Sequence, residues 1–269
     1  MSTPKGASRR TCRGTACPLS VIVTARDEED QLPAALASVT GWADEVVAVI
    51  DPRTTDGSRE LAAAAGATVL EHPYLSSSDQ YNWGLERARH RWSLILDADE
   101  RVSGELRGEI AATVTAPAHP AYSVRRFNFA FGRRLRFGDW GRDRIVRLVD
   151  REHARFAARA VHGAVQATSV GDLHGYLEHH TLRSLEQYLP KVYDYARRGA
   201  DEALSAGTRS GLVTAISRAE WRFVRGYVLR LGVLDGMPGL VVAVLAAHGT
   251  FLKWAMVWQG GRARPPTPR

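Results

Sequence analysis

The sequence predicts an α/β fold: a mostly parallel sheet flanked by helices, with a helical C-terminal extension. Short apolar, β-branched runs alternate with helix-patterned segments between residues 19 and 99. Repeated β–α–β units of this kind impose a parallel sheet with right-handed crossovers. The acidic residues of the same region fall just past the strands, where open α/β sheets bind ligands. Composition agrees, since 269 residues with 45% hydrophobic and 24% charged side chains form an ordinary globular chain with an adequate core.

The first strand is LSVIVTA (19–25), apolar and β-branched. DEEDQLPAALASV follows as a helix whose acids suit the positive end of the dipole. EVVAVID (45–51) is the second strand, and TDGSRELAAAAG (55–66) is a helix capped by Thr55 or Asp56 and stopped by Gly66. ATVLEH is a third strand, SDQYNWGLERARH a third helix, and WSLILDAD (92–99) a fourth strand that ends in carboxylates. Another helix begins near Ser103, and FAFGRRLRFGDWG is patterned as a hairpin. The apolar run Leu240–Leu252 is shorter than the roughly 20 residues a spanning helix needs. Arg218, Arg222, Arg225 and Arg230 precede it, which suits a segment lying in a membrane interface. The competing reading is a helix packed on the body.

The net charge of +7 resides in the two ends. Lys5, Arg9, Arg10 and Arg13 near one terminus and Arg262, Arg264 and Arg269 near the other account for it, leaving the body neutral. Basicity therefore gives no argument for nucleic acid as a partner. Both ends read as disordered tails. Cys12 and Cys17 supply neither a disulfide framework nor a zinc site. No apolar leader precedes Leu19, so the body is expected in the cytoplasm.

The sharpest chemical signal is Asp97-Ala98-Asp99. Two carboxylates one residue apart at a strand end form a hard-oxygen site suited to Mg²⁺ or Mn²⁺ carrying phosphate oxygens. Asp51 closes another strand, where a carboxylate accepts hydrogen bonds from a base or ribose. No G-x-G-x-x-G follows the first strand and no phosphate-binding P-loop occurs, which weakens dinucleotide and P-loop readings.

On these residues the chain resembles a family 2 inverting glycosyltransferase of GT-A (Rossmann-like) fold. VIVTARDEED, VVAVIDPRTTDGS and above all LILDADERVSGEL carry the likeness. SDQYNWGLERARHRW, the W-G-R-D-R-x-x-R-L of residues 140–148, and HHTLRSLEQYLPKVYDYARRGA extend it over about residues 19–258. The subgroup it resembles contains lipopolysaccharide core β-glucosyltransferases and related small bacterial transferases. The resemblance implies transfer of a hexose from a nucleotide-sugar donor, a UDP-sugar, to a saccharide, lipid-linked or small-molecule acceptor with inversion. Asp51 would bind uracil or ribose with Glu28 in support. Asp97 and Asp99 would hold ribose and the divalent metal, with Ala25, Asp27, Asn82 and Ala98 also lining the donor pocket. The implied division is a basic tail (1–18), a catalytic domain (19–175) with a donor half (19–112) and an acceptor half (113–175), a helical, membrane-associated extension (176–258), and a tail (259–269). An anchored enzyme would work on the inner face of the cytoplasmic membrane.

Three departures from the family pattern bear on chemistry. Asp27 stands for an Asn, and Pro52 and Arg53 replace small loop residues. Most consequentially, Val161-His162-Gly163 stands where the subgroup has V-H-E, whose acid is a plausible base. Removing the acceptor proton then falls to Asp143, with Asp139 and His162 behind it. The alternative is a non-catalytic nucleotide-sugar-binding homologue that lost its base. Residues 125–159 hold eleven Arg and four acids, expected to meet the sugar diphosphate or an anionic acceptor lipid. His179-His180 reads as a structural pair, because adjacent side chains point apart.

Overall fold

A computed structural model describes residues 17–157 and 165–263. The chain runs β1 (Leu19–Ala25), α1 (Leu32–Ala37), β2 (Glu45–Ile50), α2 (Ser58–Ala64), β3 (Thr68–Glu71), α3 (Ser77–Arg87) and β4 (Trp92–Asp97). It continues with β5 (Glu100–Val102), α4 (Gly104–Thr115), β6 (Ala121–Ala130), β7 (Arg133–Arg134), β8 (Asp143–Asp150), β9 (Arg155–Phe156), β10 (Val165–Gln166) and β11 (Val170–Leu182). Three long helical elements end it: α5 (Leu185–Ser205), α6 (Leu212–Phe223) and α7 (Gly236–Ala263).

One sheet orders its strands β3-β2-β1-β4-β8-β6-β11-β5, with β7 on β6. The β3-β2-β1-β4 half is parallel, and β8 enters antiparallel between β4 and β6. Strand β1 is buried on both faces, as a covered parallel strand must be. Val21 and Val23 pack with Leu32, Leu36 and Ile110, while Ile22 packs with Tyr81, Leu85 and Ile95. Helix α3 lies so close to β1 that a Cβ on Gly84 would sit 2.6 Å from the Ile22 Cγ2. The hairpin pattern becomes the β6–β7 turn, with Phe131 and Gly132 both at positive φ.

The structure differs from expectation at four places. The DEED segment is a loop, and α1 starts only at Leu32, one residue before Pro33. Gly57 rather than Thr55 or Asp56 is the α2 N-cap, although Asp56 Oδ1 accepts from the Ser58 amide. The proposed boundary at 175/176 falls inside β11, so the helical part begins at Leu185. Helix α7 outruns Leu240–Leu252, because Trp254–Trp258 prolongs the apolar pattern, and it continues past 258 to Ala263. By length and composition, the helical stretch Gly232–Gly261 could cross a membrane. Cys17, expected in the first tail, is buried in the core beside β1, and the rest of the expected tails apart from Pro18 lies outside the described residues.

Candidate active site

Strand register builds the site. Thr24 pairs with Asp97 and Ala25 with Ile50, so Ala25, Asp51 and Asp97 emerge side by side at the carboxyl edge. The chain after Asp97 leaves β4 and crosses to β11, where Glu100 pairs with His179. The His180 amide donates to the Asp99 carbonyl (2.9 Å), which fixes the crossing. The D-A-D-E segment thereby bridges two strands that are not neighbours.

Asp97 is heavily engaged. Its Oδ1 accepts from Tyr81 Oη (2.8 Å) and Thr24 Oγ1 (3.1 Å), and its Oδ2 accepts from Arg147. Arg147 is fully buried and also donates to Glu100 Oε1 (2.7 Å), itself fully buried. Arg126 spans Glu100 (3.2 Å) and Asp143. Burial alone would raise the Asp97 carboxyl, but the Arg147 charge lowers it below the usual range, against Asp99. Burial opposes ionisation of Asp99 too, yet His179, followed by Lys191 and Arg126, holds it well below that range.

Around Asp99 the chain closes a second network. His179 Nε2 lies 3.4 Å from Asp99 Oδ2, its Nδ1 meets Asn128 Oδ1, and Asn128 Nδ2 reaches Asp143 Oδ2 (3.3 Å). From α5, Lys191 Nζ contacts Glu28 Oε1 (3.3 Å). Burial raises the Glu28 carboxyl, with the Asp99 and Asp97 charges adding to it and Lys191 opposing. Glu28, Asp97, Asp99, Glu100 and Asp143 thus outnumber Arg126, Arg147 and Lys191 before His179 is counted.

The other expected residues are placed as follows. Asp51 is buried, and both its oxygens are taken by Arg53, through Nε (3.0 Å) and Nη2 (2.6 Å), holding its carboxyl down at about 2. Asp27 stands at positive φ and accepts from the Thr55 amide (2.8 Å), pinning the loop before α2. Ala98 is tied by its amide to the Thr24 carbonyl. Asn82 is not in the cluster: its side chain bonds both the amide and the carbonyl of Phe156, fastening α3 to β9. Asp139 faces Arg222, Arg225 and Arg230 and anchors the C-terminal helices instead of meeting the cluster. Those three arginines therefore share one carboxylate of the catalytic body. His162 and Gly163 lie outside the described residues.

Several arginines of 125–159 are also internal. Arg126 and Arg147 serve the acid cluster, and Arg151 donates to the carbonyls of Leu85 and Ala88 at the end of α3. Among the described residues, one acid–histidine trio converges tightly enough to hold a metal, Asp150, Glu152 and His153. It sits at the opposite end of β4, where Asp150 pairs with Trp92 and is neutralised by Arg91 (2.6 Å).

Sequence reasoning placed Glu100 among the acids past the fourth strand without a role, and passed over Arg147, Tyr81, Lys191 and the inward role of His179. Arg147 was in view as the last Arg of W-G-R-D-R-x-x-R-L, and Glu100 as the E of D-A-D-E-R. The two histidines do point apart: His179 meets Asp99 while His180 stacks on Phe129.

Residues 20–170 match the family described as Glycosyl transferase family 2. A Rickettsia typhi protein named uncharacterized glycosyltransferase is 25% identical over 88% of this chain and 85% of its own. The lipopolysaccharide core biosynthesis glycosyltransferase LpsC of Rhizobium meliloti is 26% identical over 92% of this chain and 95% of its own. Among solved structures, glucosyl-3-phosphoglycerate synthase from Mycobacterium tuberculosis matches with 18% identity and a TM-score of 0.35. That match spans 42% of this chain and 44% of that one.

Proposed function

Because the chain belongs to glycosyl transferase family 2, we propose that it moves a hexose from a UDP-sugar to an envelope-type acceptor with inversion. The observation that supports this most is the carboxylate-rich cluster at the carboxyl edge of the parallel strands. Hard carboxylate oxygens in excess over cations fit Mg²⁺ or Mn²⁺. Asp99 would hold the ion, with Asp97 behind it, since both Asp97 oxygens are already engaged. When bound, the ion neutralises charge on the departing diphosphate.

The chain's own groups supply the rest. Asp51 receives the nucleoside once the exposed Arg53 side chain swings away, and Glu28 supports the same pocket. Lys191 and His179 face the diphosphate with positive or hydrogen-bonding groups. Asp143 takes the acceptor proton. Arg126 and Asn128 hold its Oδ2, leaving Oδ1 without a partner among the described residues. A single displacement with one base opposite the leaving group inverts the anomeric centre.

The acceptor class, saccharide, lipid-linked or small-molecule, fits a peripheral position on the inner face of the cytoplasmic membrane. Between α6 and the first turn of α7 the chain exposes Val228, Leu229, Leu231, Leu234 and Met237. Asp235 fixes this tip by accepting from the amides of Arg136 (3.0 Å) and Phe137 (2.9 Å). An apolar tip held rigidly on the catalytic body is suited to enter a lipid interface. The test of the whole reading is incubation with a panel of UDP-sugars with and without Mn²⁺. Metal-dependent UDP release is expected, and a protein that binds no nucleotide sugar overturns it.

A further inference from the structure

A cavity of about 440 Å³ lies between α5, α6 and α7. Trp140, Trp221 and Trp254 wall it, Val242 and Leu245 give it an apolar floor, and Arg218, Arg222, Arg225 and Lys253 border it. No carboxylate is among the described residues of its lining. Arg218 and Lys253 both stack on the Trp254 ring, at 4.1 and 5.5 Å. Arg222, Arg225 and Arg230 share one carboxylate, Asp139, so the positive charge at this wall is only partly balanced. The buried Arg225 Nε has no hydrogen-bond partner.

The cavity adjoins the acid cluster. Tyr188 and Tyr195 line it from α5, the helix that also brings Lys191 to Glu28. Burial pushes the Tyr188 hydroxyl up to about 12, with Tyr195 and the Asp99 charge adding to it, so Tyr188 stands within electrostatic reach of the site. Its volume is that of a small-ligand site, and the mixture of apolar floor, aromatic walls and convergent cations is what such a site uses.

We propose that this cavity is an acceptor subsite for an amphiphilic anion, a phosphate-type head group met by Arg218, Arg225 and Lys253 on an apolar stem lying against α7. Guanidinium forks match phosphate oxygens, and the apolar floor has no use for a wholly polar ligand. The inference rests on the transferase reading above only for the word acceptor; the binding chemistry stands by itself.

The test is a titration followed by tryptophan fluorescence, since three tryptophans wall the cavity. Octyl phosphate, inorganic phosphate and the uncharged octyl tetraethylene glycol ether are the probes, all below micelle concentrations. Octyl phosphate is expected to saturate with an affinity at least about tenfold above either component. Arg218→Gln removes a charge that bridges no acid and should weaken octyl phosphate by about tenfold. Ala246→Phe fills the cavity and should abolish the signal. Both variants should keep the wild-type melting temperature and UDP affinity. Octyl phosphate binding no better than inorganic phosphate would leave a surface anion site only, and binding no better than the neutral ether an apolar cleft only. Either result overturns the proposal, as does wild-type binding by folded Ala246→Phe. Absence of UDP binding in the wild type would instead strike the donor reading and leave this titration intact.

Discussion

At the end of β4, Asp97 and Glu100 gather around Arg147 with Asp99 on His179 beside them; at its start, Asp150 and Glu152 meet Arg91 and His153 meets Asp150. The two groups use the same residue types and differ in what surrounds them. At the start, Glu152 and His153 are more than half exposed, and water and Arg91 dissipate the charge. At the end, Arg147 and Glu100 are fully buried, and the acids are held ionised in a desolvated setting by cations they outnumber. Topology makes the difference. The carboxyl edge of the parallel strands gathers the loops after β1 and β4 and receives β6, β8, β11 and α5 across it, so charges from all of these elements converge there. A tight trio of ligands matters less than a strand end at which buried charge is left unbalanced.

The largest test of this contrast is stability. Arg147→Met should cost about 3 kcal/mol, because, among the described residues, it takes the only paired cation from Asp97 and leaves the fully buried Glu100 with Arg126 alone. Arg91→Met, where the cation is 42% exposed and the buried Asp150 keeps the Glu152 amide and His153 as partners, should cost less, about 1–2 kcal/mol. Urea unfolding of both variants reads the difference, and equal costs would erase the distinction between the two ends of β4.

Chemistry should divide the same way. Asp143→Asn should lower transfer by about 10²-fold with donor affinity unchanged, the signature of a lost base. Near-normal turnover would move the role to another group. Asp99→Asn should lower Mn²⁺-dependent UDP affinity by about tenfold or more, whereas Asp150→Asn should leave it alone. Calorimetric titration of UDP, repeated after chelation of the metal, separates the two. A metal response that follows Asp150 would reverse the assignment.

What the sequence made legible follows from range. Asp51, Asp97 and Asp99 could be read because each closes an apolar strand or follows one within two residues, and strand ends are local facts. The helix start near Ser103 could be read for the same reason, and the Ser103 Oγ accepts from the Leu106 amide (3.2 Å). The partners of those acids were not legible, because Arg147, His179 and Lys191 reach them from elements 50 or more residues away whose placement depends on the antiparallel insertion of β8. Asn82 and Asp139 show the converse. Their types suit a site, but Asn82 is committed to the Phe156 backbone and Asp139 to three arginines of the C-terminal helices. The length of α7 exceeds the apolar run because Lys253 interrupts the pattern without ending the helix.

The smallest effect expected concerns Arg53, a residue that stands where the family has a small one. Its guanidinium is 57% exposed, yet it closes both oxygens of Asp51, which is 1% exposed. A nucleoside that uses Asp51 must displace that guanidinium, so Arg53→Ala should tighten UDP binding by about three- to tenfold. Loss of affinity instead would mean that Arg53 touches the nucleotide and does not compete with it. The same pair leaves a trace in acid. Asp51 is held at about 2, chiefly by its hydrogen bond to Arg53, against about 3.9 in an unfolded chain. A depressed carboxyl stabilises the fold above the unfolded value and loses that contribution as pH falls through the folded one. The stability gap between wild type and Arg53→Ala should therefore be constant near neutrality and shrink between about pH 4 and pH 2. Urea midpoints taken across that window check it, and a gap that does not change with pH would show that Arg53 is not what holds Asp51 ionised.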